Sequence, residues 1–404
     1  MPSEFAPHWT LDPGTVFLNH GSFGATPRPV LAAQAEWRER MEREPVAFFA
    51  RDLEPAMDEA RAALGTFVGA DPDDLALVPN ATAGINIVAR SLDLRAGDEV
   101  IAIDHAYNAA TNALEHAAAA AGARLVVVRL PFPGSTPDLA LDVILDAVTP
   151  RTRLVMIDHV TSATALVLPV PEIVAALASR GVDALVDGAH APGMVPLAID
   201  DLTRAGMDWY TGNGHKWLCG PKGSGFLWTR EDRRATTHPV VTSHGTNDPR
   251  TDRSRYRMEF DWTGTDDPTA YLTLPAAIRF MASHTSGGWA EIMATNRAVV
   301  MRGRDLVLAA LGTAAPAPDE MLGAMAAIPL PIPVGDGVEV QRRLYDEHRI
   351  EVPISSWPVA AALAPGRVPR GELLRLSAQL YNVEDDYAAL AAEIAKARQA
   401  WSEW

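Results

Sequence analysis

Lysine is scarce in this chain. Of its 35 basic residues only three are lysines, Lys216, Lys222 and Lys396, and arginine serves elsewhere. Two of the three stand together in His215-Lys216-Trp217-Leu218-Cys219-Gly220-Pro221-Lys222-Gly223. A guanidinium stays charged, whereas a lysine amine can lose its proton and attack a carbonyl to form an imine. The other polar residues worth weighing follow short apolar runs: Asn80-Ala81-Thr82, Asp104-His105, Asp158-His159 and Asp187-Gly188-Ala189-His190. Acid and histidine pairs at strand ends often do no more than cap helices and satisfy backbone groups. A metal site would use these residue types, but no HxH or HExxH spacing supports one, and the lysine stays unexplained. A nicotinamide site would need GxGxxG after the first strand, and Gly212-x-Gly214 and Gly223-x-Gly225 continue wrongly for it.

Pyridoxal phosphate accounts for more of these features at once. It asks a protein for a lysine to hold its aldehyde, a carboxylate against the pyridine nitrogen, a flat side chain on the ring face and a cup for the phosphate. Lys216 is the candidate amine, and Asp187, at a strand end 29 residues upstream, is the candidate carboxylate. His105 and Tyr107 both suit the ring face. A helix start at Ala81 and Thr82 offers backbone N–H groups and a hydroxyl to the phosphate, with His215 as a further donor.

The elements that must position these residues are legible as a pattern. Apolar runs at 75–78, 99–103, 124–128, 153–157 and 182–186 alternate with helical stretches near 82–91, 107–121, 139–148 and 171–180, and 209–211 makes a short further strand. Continuous apolar runs separated by helices describe a sheet covered on both faces, an α/β doubly wound fold with mostly parallel strands. After about residue 265 two long helical patterns occupy 270–284 and 288–311. Strand-like runs follow near 325–331, 349–353 and 372–377. A last helix has Asn382 as its expected cap and Tyr387, Leu390, Ile394 and Trp401 on one face. The expected organisation is an N-terminal arm (1–30), a large cofactor-binding domain (31–265) and a smaller C-terminal α/β domain (266–404). The segment 353–369, with four prolines, is expected to be a loop.

Taken together, Val186-Asp187-Gly188-Ala189-His190, Gly214-His215-Lys216-Trp217 and Gly220-Pro221-Lys222-Gly223 resemble the class V aminotransferase superfamily of fold-type I pyridoxal-phosphate enzymes. Leu18-Asn19-His20-Gly21-Ser22-Phe23-Gly24, Asp104-His105-Ala106-Tyr107 and Asp187–Gly193 look most like its isopenicillin N epimerase branch, a likeness spanning about 16–383. The resemblance implies roles. Lys216 matches the lysine that holds the cofactor and shuttles the proton, Asp187 the pyridinium partner and His190 the residue on the phenolic oxygen. His105 and Tyr107 fall in the ring-stacking segment, and Thr82, Asn213 and His215 match phosphate contacts. Thr161 falls where desulfurases carry asparagine near the phenolic oxygen. Arg375 matches the arginine that clamps an α-carboxylate. Thr265 matches a contact donated to the phosphate of a partner subunit, so a homodimer is implied. Asn19, His20 and Ser22 are candidates for the substrate mouth, and Arg51 for a contact with a second substrate anion.

The net charge of −16 and the 48% hydrophobic content describe a soluble globular protein, with neither nucleic acid nor membrane as partner. No apolar run is long enough to span a bilayer and no secretory pattern opens the chain, so a cytoplasmic location is expected. The single cysteine, Cys219, rules out a disulfide framework within the chain and a cysteine-rich zinc site. Residues 266–404 contain no cysteine, which argues against the persulfide mechanism of desulfurases. The expected activity is an epimerase or racemase acting at Cα of an amino-acid substrate. A β-eliminating C–S lyase and an aminotransferase are the alternatives, and a non-catalytic ligand-binding protein the reading from another class.

Overall fold

A computed structural model describes residues 3–358 and 371–401 of the chain, with side chains to residue 398. Its strands in chain order are β1 (Val16–Phe17), β2 (Leu75–Val78), β3 (Glu99–Ile103), β4 (Arg124–Val128), β5 (Thr152–Asp158) and β6 (Asp183–Gly188). Then come β7 (Trp209–Asn213), β8 (Gly225–Thr229), β9 (Met325–Leu330), β10 (Ile350–Glu351), β11 (Ile354–Trp357) and β12 (Gly371–Ser377). Seven of them form one sheet in the order β2-β8-β7-β6-β5-β3-β4. The strands β4, β3, β5, β6 and β7 run parallel, and β8 pairs antiparallel with both β7 and β2. The apolar runs read as buried strands are buried along β2, β3, β6 and β7, because helices cover both faces. The chain winds outward from β3 to β4 and then returns to the other side of β3 as β5. That reversal is a switch point, where the strand ends open a crevice for ligands.

The fold-class expectation holds: this is α/β with a large, mostly parallel sheet. The strand β8 is an addition to the sequence reading. It closes a hairpin with β7, and the loop between them carries Lys216.

A second apolar cluster gathers Val300, Val307, Ile328, Leu374, Tyr387, Leu390 and Ile394 around the antiparallel sheet β11-β12-β9. Leu18, from the N-terminal segment, belongs to the same cluster, and β1 pairs in parallel with β10. The Asn382 expectation is corrected. Asn382 Oδ1 accepts the Gln379 N–H at 3.0 Å, while Asp386 Oδ2 accepts the Val383 N–H at 3.1 Å ahead of the helix Glu384–Trp401. The expected loop 353–369 is corrected over 354–357, which form β11, and its remainder from 359 lies outside the described residues, as does the Trp401 side chain. No helix among the described residues is long and apolar enough to cross a membrane.

Candidate active site

A cavity of about 610 Å³ opens at the strand ends beside the switch point. Four chain segments meet in it: His105 and Tyr107 after β3, Asp158 at the end of β5, Asp187, Ala189 and His190 at the end of β6, and His215 and Lys216 after β7. Asn80, Ala81 and Thr82 line it from the start of the helix Ala81–Ser91, and Arg375 enters from β12. Sequence positions far apart thus converge because parallel strands end on one edge of the sheet.

The loop bearing Lys216 is pinned at its base, where the Gly214 N–H donates to the Ser224 carbonyl at 2.7 Å and the Gly220 N–H to the Gly214 carbonyl at 2.9 Å. A turn from the N-terminal segment packs on its outside. Gly24 adopts φ +67°, and a Cβ there would overlap the His215 carbonyl, so glycine is required on both counts. Lys216 Nζ lies 3.0 Å from His190 Nε2. Burial in this pocket, reinforced by the Arg375 charge and opposed by Asp187, brings the Lys216 amine down to about 7. Near neutrality a large share of it is therefore the free base, the form that attacks a carbonyl or takes a proton. The Trp217 indole N–H donates to His190 Nδ1 at 3.4 Å, which leaves the proton of a neutral imidazole on Nε2, toward Lys216.

Asp187 is buried, and its Oδ1 accepts the Ala189 N–H at 2.9 Å. Burial raises its carboxyl above the ordinary value, against the pull of that N–H and of Lys216. A cation placed against it in the pocket would favour the charged form.

The two ring-face candidates separate. His105 is buried, its Nε2 bonded to the Leu130 carbonyl at 2.8 Å and its Nδ1 to Thr164 Oγ1 at 2.6 Å. A carbonyl only accepts, so Nε2 carries the proton and the Thr164 hydroxyl donates to Nδ1. Thr161 is buried behind the pocket wall, bonded to Thr164 Oγ1 at 2.7 Å and accepting the Leu166 N–H at 2.8 Å. Tyr107, by contrast, is 49% exposed at the start of the helix Asn108–Ala121.

At the other end Asn213 Oδ1 accepts the Ala81 N–H at 2.9 Å, and Asn80 caps the helix through the Ala83 N–H at 2.9 Å. The expectation that the Ala81 N–H faces a phosphate is thereby corrected: Asn213 already satisfies it. Thr82 and His215 remain on the pocket wall, His215 with Nδ1 at 3.3 Å from the Ser224 carbonyl.

Arg375 Nη1 donates to the Ser162 carbonyl and Nη2 to Ser22 Oγ, each at 2.7 Å, while its Nε is buried with no partner. Ser22 in turn donates to Asn19 Oδ1 at 2.5 Å, and Asn19 Nδ2 to Glu351 at 3.2 Å. Asn19 therefore stands behind the arginine and does not line the mouth. His20 is also corrected. It is fully buried outside the pocket, with Nε2 at 3.0 Å from the Lys216 carbonyl and Nδ1 at 2.8 Å from the Tyr381 hydroxyl, so it clamps the lysine's main chain. Arg51 is exposed beside Glu44, and Thr265 follows Gly264 in an exposed loop; neither lines the pocket of its own chain. Ser22, expected at the mouth with Asn19 and His20, does line the pocket, whereas the sequence assigned no role to Asp158 or Ser162. Asp158 had the signal of an acid and histidine pair at a strand end, but three such places looked alike.

The donor set fits pyridoxal phosphate. A buried amine and a buried carboxylate face one cavity, with a helix start, a hydroxyl and an imidazole at its other end, and the unpartnered Arg375 Nε gives an anion a place to bind. The family model described as Aminotransferase class-V matches residues 17–389. The isopenicillin N epimerase of Amycolatopsis lactamdurans is 36% identical over 394 residues, covering 95% of each chain. An L-cysteine desulfhydrase of Arabidopsis thaliana is 30% identical over 417 residues, covering 96% of this chain and 88% of that protein. The structure of a cysteine desulfurase from Thermococcus onnurineus NA1 superposes with a TM-score of 0.81 at 20% identity, covering 99% of both chains, which speaks to the fold. The chain belongs to the class V aminotransferase family, and it is a pyridoxal-phosphate enzyme of fold type I.

Proposed function

We propose that this enzyme acts at Cα of an α-amino-acid substrate and is an epimerase, with Lys216 as the base. The carrying observation is the pairing, in one pocket, of a buried amine brought to about 7 with an arginine whose Nε is buried and unpartnered. The cofactor, when bound, supplies the electron sink that acidifies the Cα–H bond. Asp187 would hold its ring nitrogen, His190 its phenolic oxygen, Thr82, Asn213 and His215 its phosphate, and His105, locked by two hydrogen bonds, its ring face. Arg375 fixes the substrate carboxylate, with Ser22 and Ser162 fixing the arginine. Lys216 then moves the Cα proton. The epimerase relative, matched over 95% of each chain, supports inversion as the outcome.

A second reading, β-elimination from a sulfur-bearing amino acid, has its own support. His105, His190 and His215 are all held below their usual range by burial, and Lys222 Nζ donates to the Gly24 carbonyl at 3.1 Å, while Lys216 is the amine brought to about 7 beside His190. Elimination needs one base, whereas two-base inversion needs a second on the opposite face. Incubating the enzyme with a panel of L- and D-amino acids in deuterated water separates the two. Inversion with deuterium at Cα supports the epimerase, while release of a keto acid and ammonia without inversion overturns it in favour of the lyase.

Two further results are expected. Arg375→Ala should raise KM by roughly 30- to 5,000-fold with a smaller effect on kcat, since removing one partner of a buried charge pair costs about 2–5 kcal/mol. Steady-state kinetics checks this. The rate at which the apo protein captures pyridoxal phosphate covalently should rise about tenfold per pH unit below about 7 and level off above it, because only the unprotonated amine reacts. A lysine of ordinary basicity would keep accelerating to beyond pH 10. Stopped-flow absorbance across pH distinguishes the two curves.

The homodimer is likewise a proposal, in which Thr265 reaches the phosphate site of a second copy. Its support is that Thr265 lies outside the pocket of its own chain, and that its neighbours Thr263, Gly264 and Asp266 line one surface groove with the exposed Val240 and Val241.

A further inference from the structure

The pocket wall holds two carboxyls where the cofactor calls for one. The strands β5 and β6 run parallel with Asp158 directly opposite Asp187, and both residues line the cavity. Both are almost fully buried, at 2% and 3% exposure. Their partners differ. Asp187 Oδ1 has the Ala189 N–H, while Asp158 Oδ2 is buried with no hydrogen-bond partner at all. The main-chain N–H of Tyr107 and that of Asp158 itself are what meet the Asp158 carboxyl, and Asp187 is the charged group that faces it. Lys216 acts on Asp187, and Arg375 is engaged by Ser22 and Ser162, so no cation is matched to Asp158 among the described residues.

Two carboxylates facing each other on adjacent strands of a dry pocket do not both ionise when the site offers a counter-charge to only one. An unpaired buried carboxylate is also among the costliest groups a protein can hold, and it takes up a proton instead. We infer that Asp158 is a neutral carboxylic acid whose O–H is a hydrogen-bond donor on the cofactor pocket wall, and that its neutrality reserves the negative charge for Asp187. Burial and the neighbouring Asp187 both push its proton affinity up, in keeping with this assignment. Asp158 is then a positioning residue: it acts through the charge state of Asp187 and by offering a proton donor to whatever occupies the pocket. The clause about Asp187 rests on the reading of that residue as partner of the ring nitrogen.

Infrared spectroscopy of the apo protein at neutral pH tests the protonation state directly. The wild type should show a carboxylic-acid C=O band that is missing from Asp158→Asn, and the band should persist when pyridoxal phosphate is added. Its absence from the apo protein overturns the inference whatever the cofactor does. The second arm follows the pH midpoint of the bound cofactor's visible absorption. Asp158→Asn, neutral and still a donor, should move it by less than about 0.3 unit, whereas removing a true charge at this distance would move it by about one to three units. Asp158→Leu, which removes the donor, should weaken cofactor binding about tenfold, as read by equilibrium dialysis, with Asp158→Asn restoring most of the affinity. A midpoint shift above one unit in Asp158→Asn contradicts the neutral acid, and equal affinities for Leu and Asn variants contradict the donor. If wild type takes up no pyridoxal phosphate, the cofactor reading fails while the infrared result still decides the protonation state.

Discussion

Lys216→Ala should fold, bind pyridoxal phosphate only reversibly and lose at least about four orders of magnitude in kcat. The variant removes both the covalent anchor and the group that moves the Cα proton, and general base catalysis alone accounts for about 10²–10⁴-fold. Folding should survive because the amine is buried at a cost: burial brings it down to about 7, and its side chain's closest polar partner is His190. Lys216→Arg should be equally inactive, since a guanidinium retains charge and does not form the imine. The pair of variants separates chemistry from charge. Cofactor absorbance after gel filtration, turnover and thermal melting together check the expectation. A Lys216→Ala enzyme with more than a hundredth of wild-type turnover would remove the basis of the assignment.

Asp187→Asn should be the second most damaging single change, with cofactor affinity and kcat/KM together falling by about two to four orders of magnitude. Breaking a buried ion pair by neutralising one partner costs about 3–5 kcal/mol. In the apo protein the same substitution should stabilise the fold or leave it unchanged, because burial already disfavours the Asp187 charge. The sign therefore differs between apo and holo forms: Asp187→Asn melts no lower than wild type without pyridoxal phosphate and clearly lower with it. Melting curves at saturating and zero cofactor measure the difference. A variant destabilised equally in both forms would mark Asp187 as merely structural.

Much of this is readable in the sequence because of how parallel sheets are built. Strands covered on both faces must be continuously apolar, so β2, β3, β5 and β6 stand out as runs, and the polar residues that follow them must sit on one edge. The scarcity of lysine by itself singles out the short stretch that carries Lys216. What stays hidden depends on contacts between distant segments. The hairpin partner β8 opens with glycine right after the Lys222 turn and reads as part of that turn. His20 has the residue type of a pocket histidine, but Tyr381, far along the chain, turns it onto the Lys216 main chain. Ala81 loses its expected phosphate contact because Asn213, on another strand, takes the N–H. Asp158 and Asp187 each follow an apolar run in the same way, and only the β5–β6 register places them side by side.

Borohydride reduction of the freshly purified holoenzyme, followed by peptide mass mapping, tests the central claim most directly. With only Lys216, Lys222 and Lys396 available, the map is unambiguous. The expected result is a phosphopyridoxyl mass on the peptide carrying Lys216 and on no other. Its appearance on Lys222 or Lys396 instead, or on no lysine while bound cofactor is present, would contradict the account.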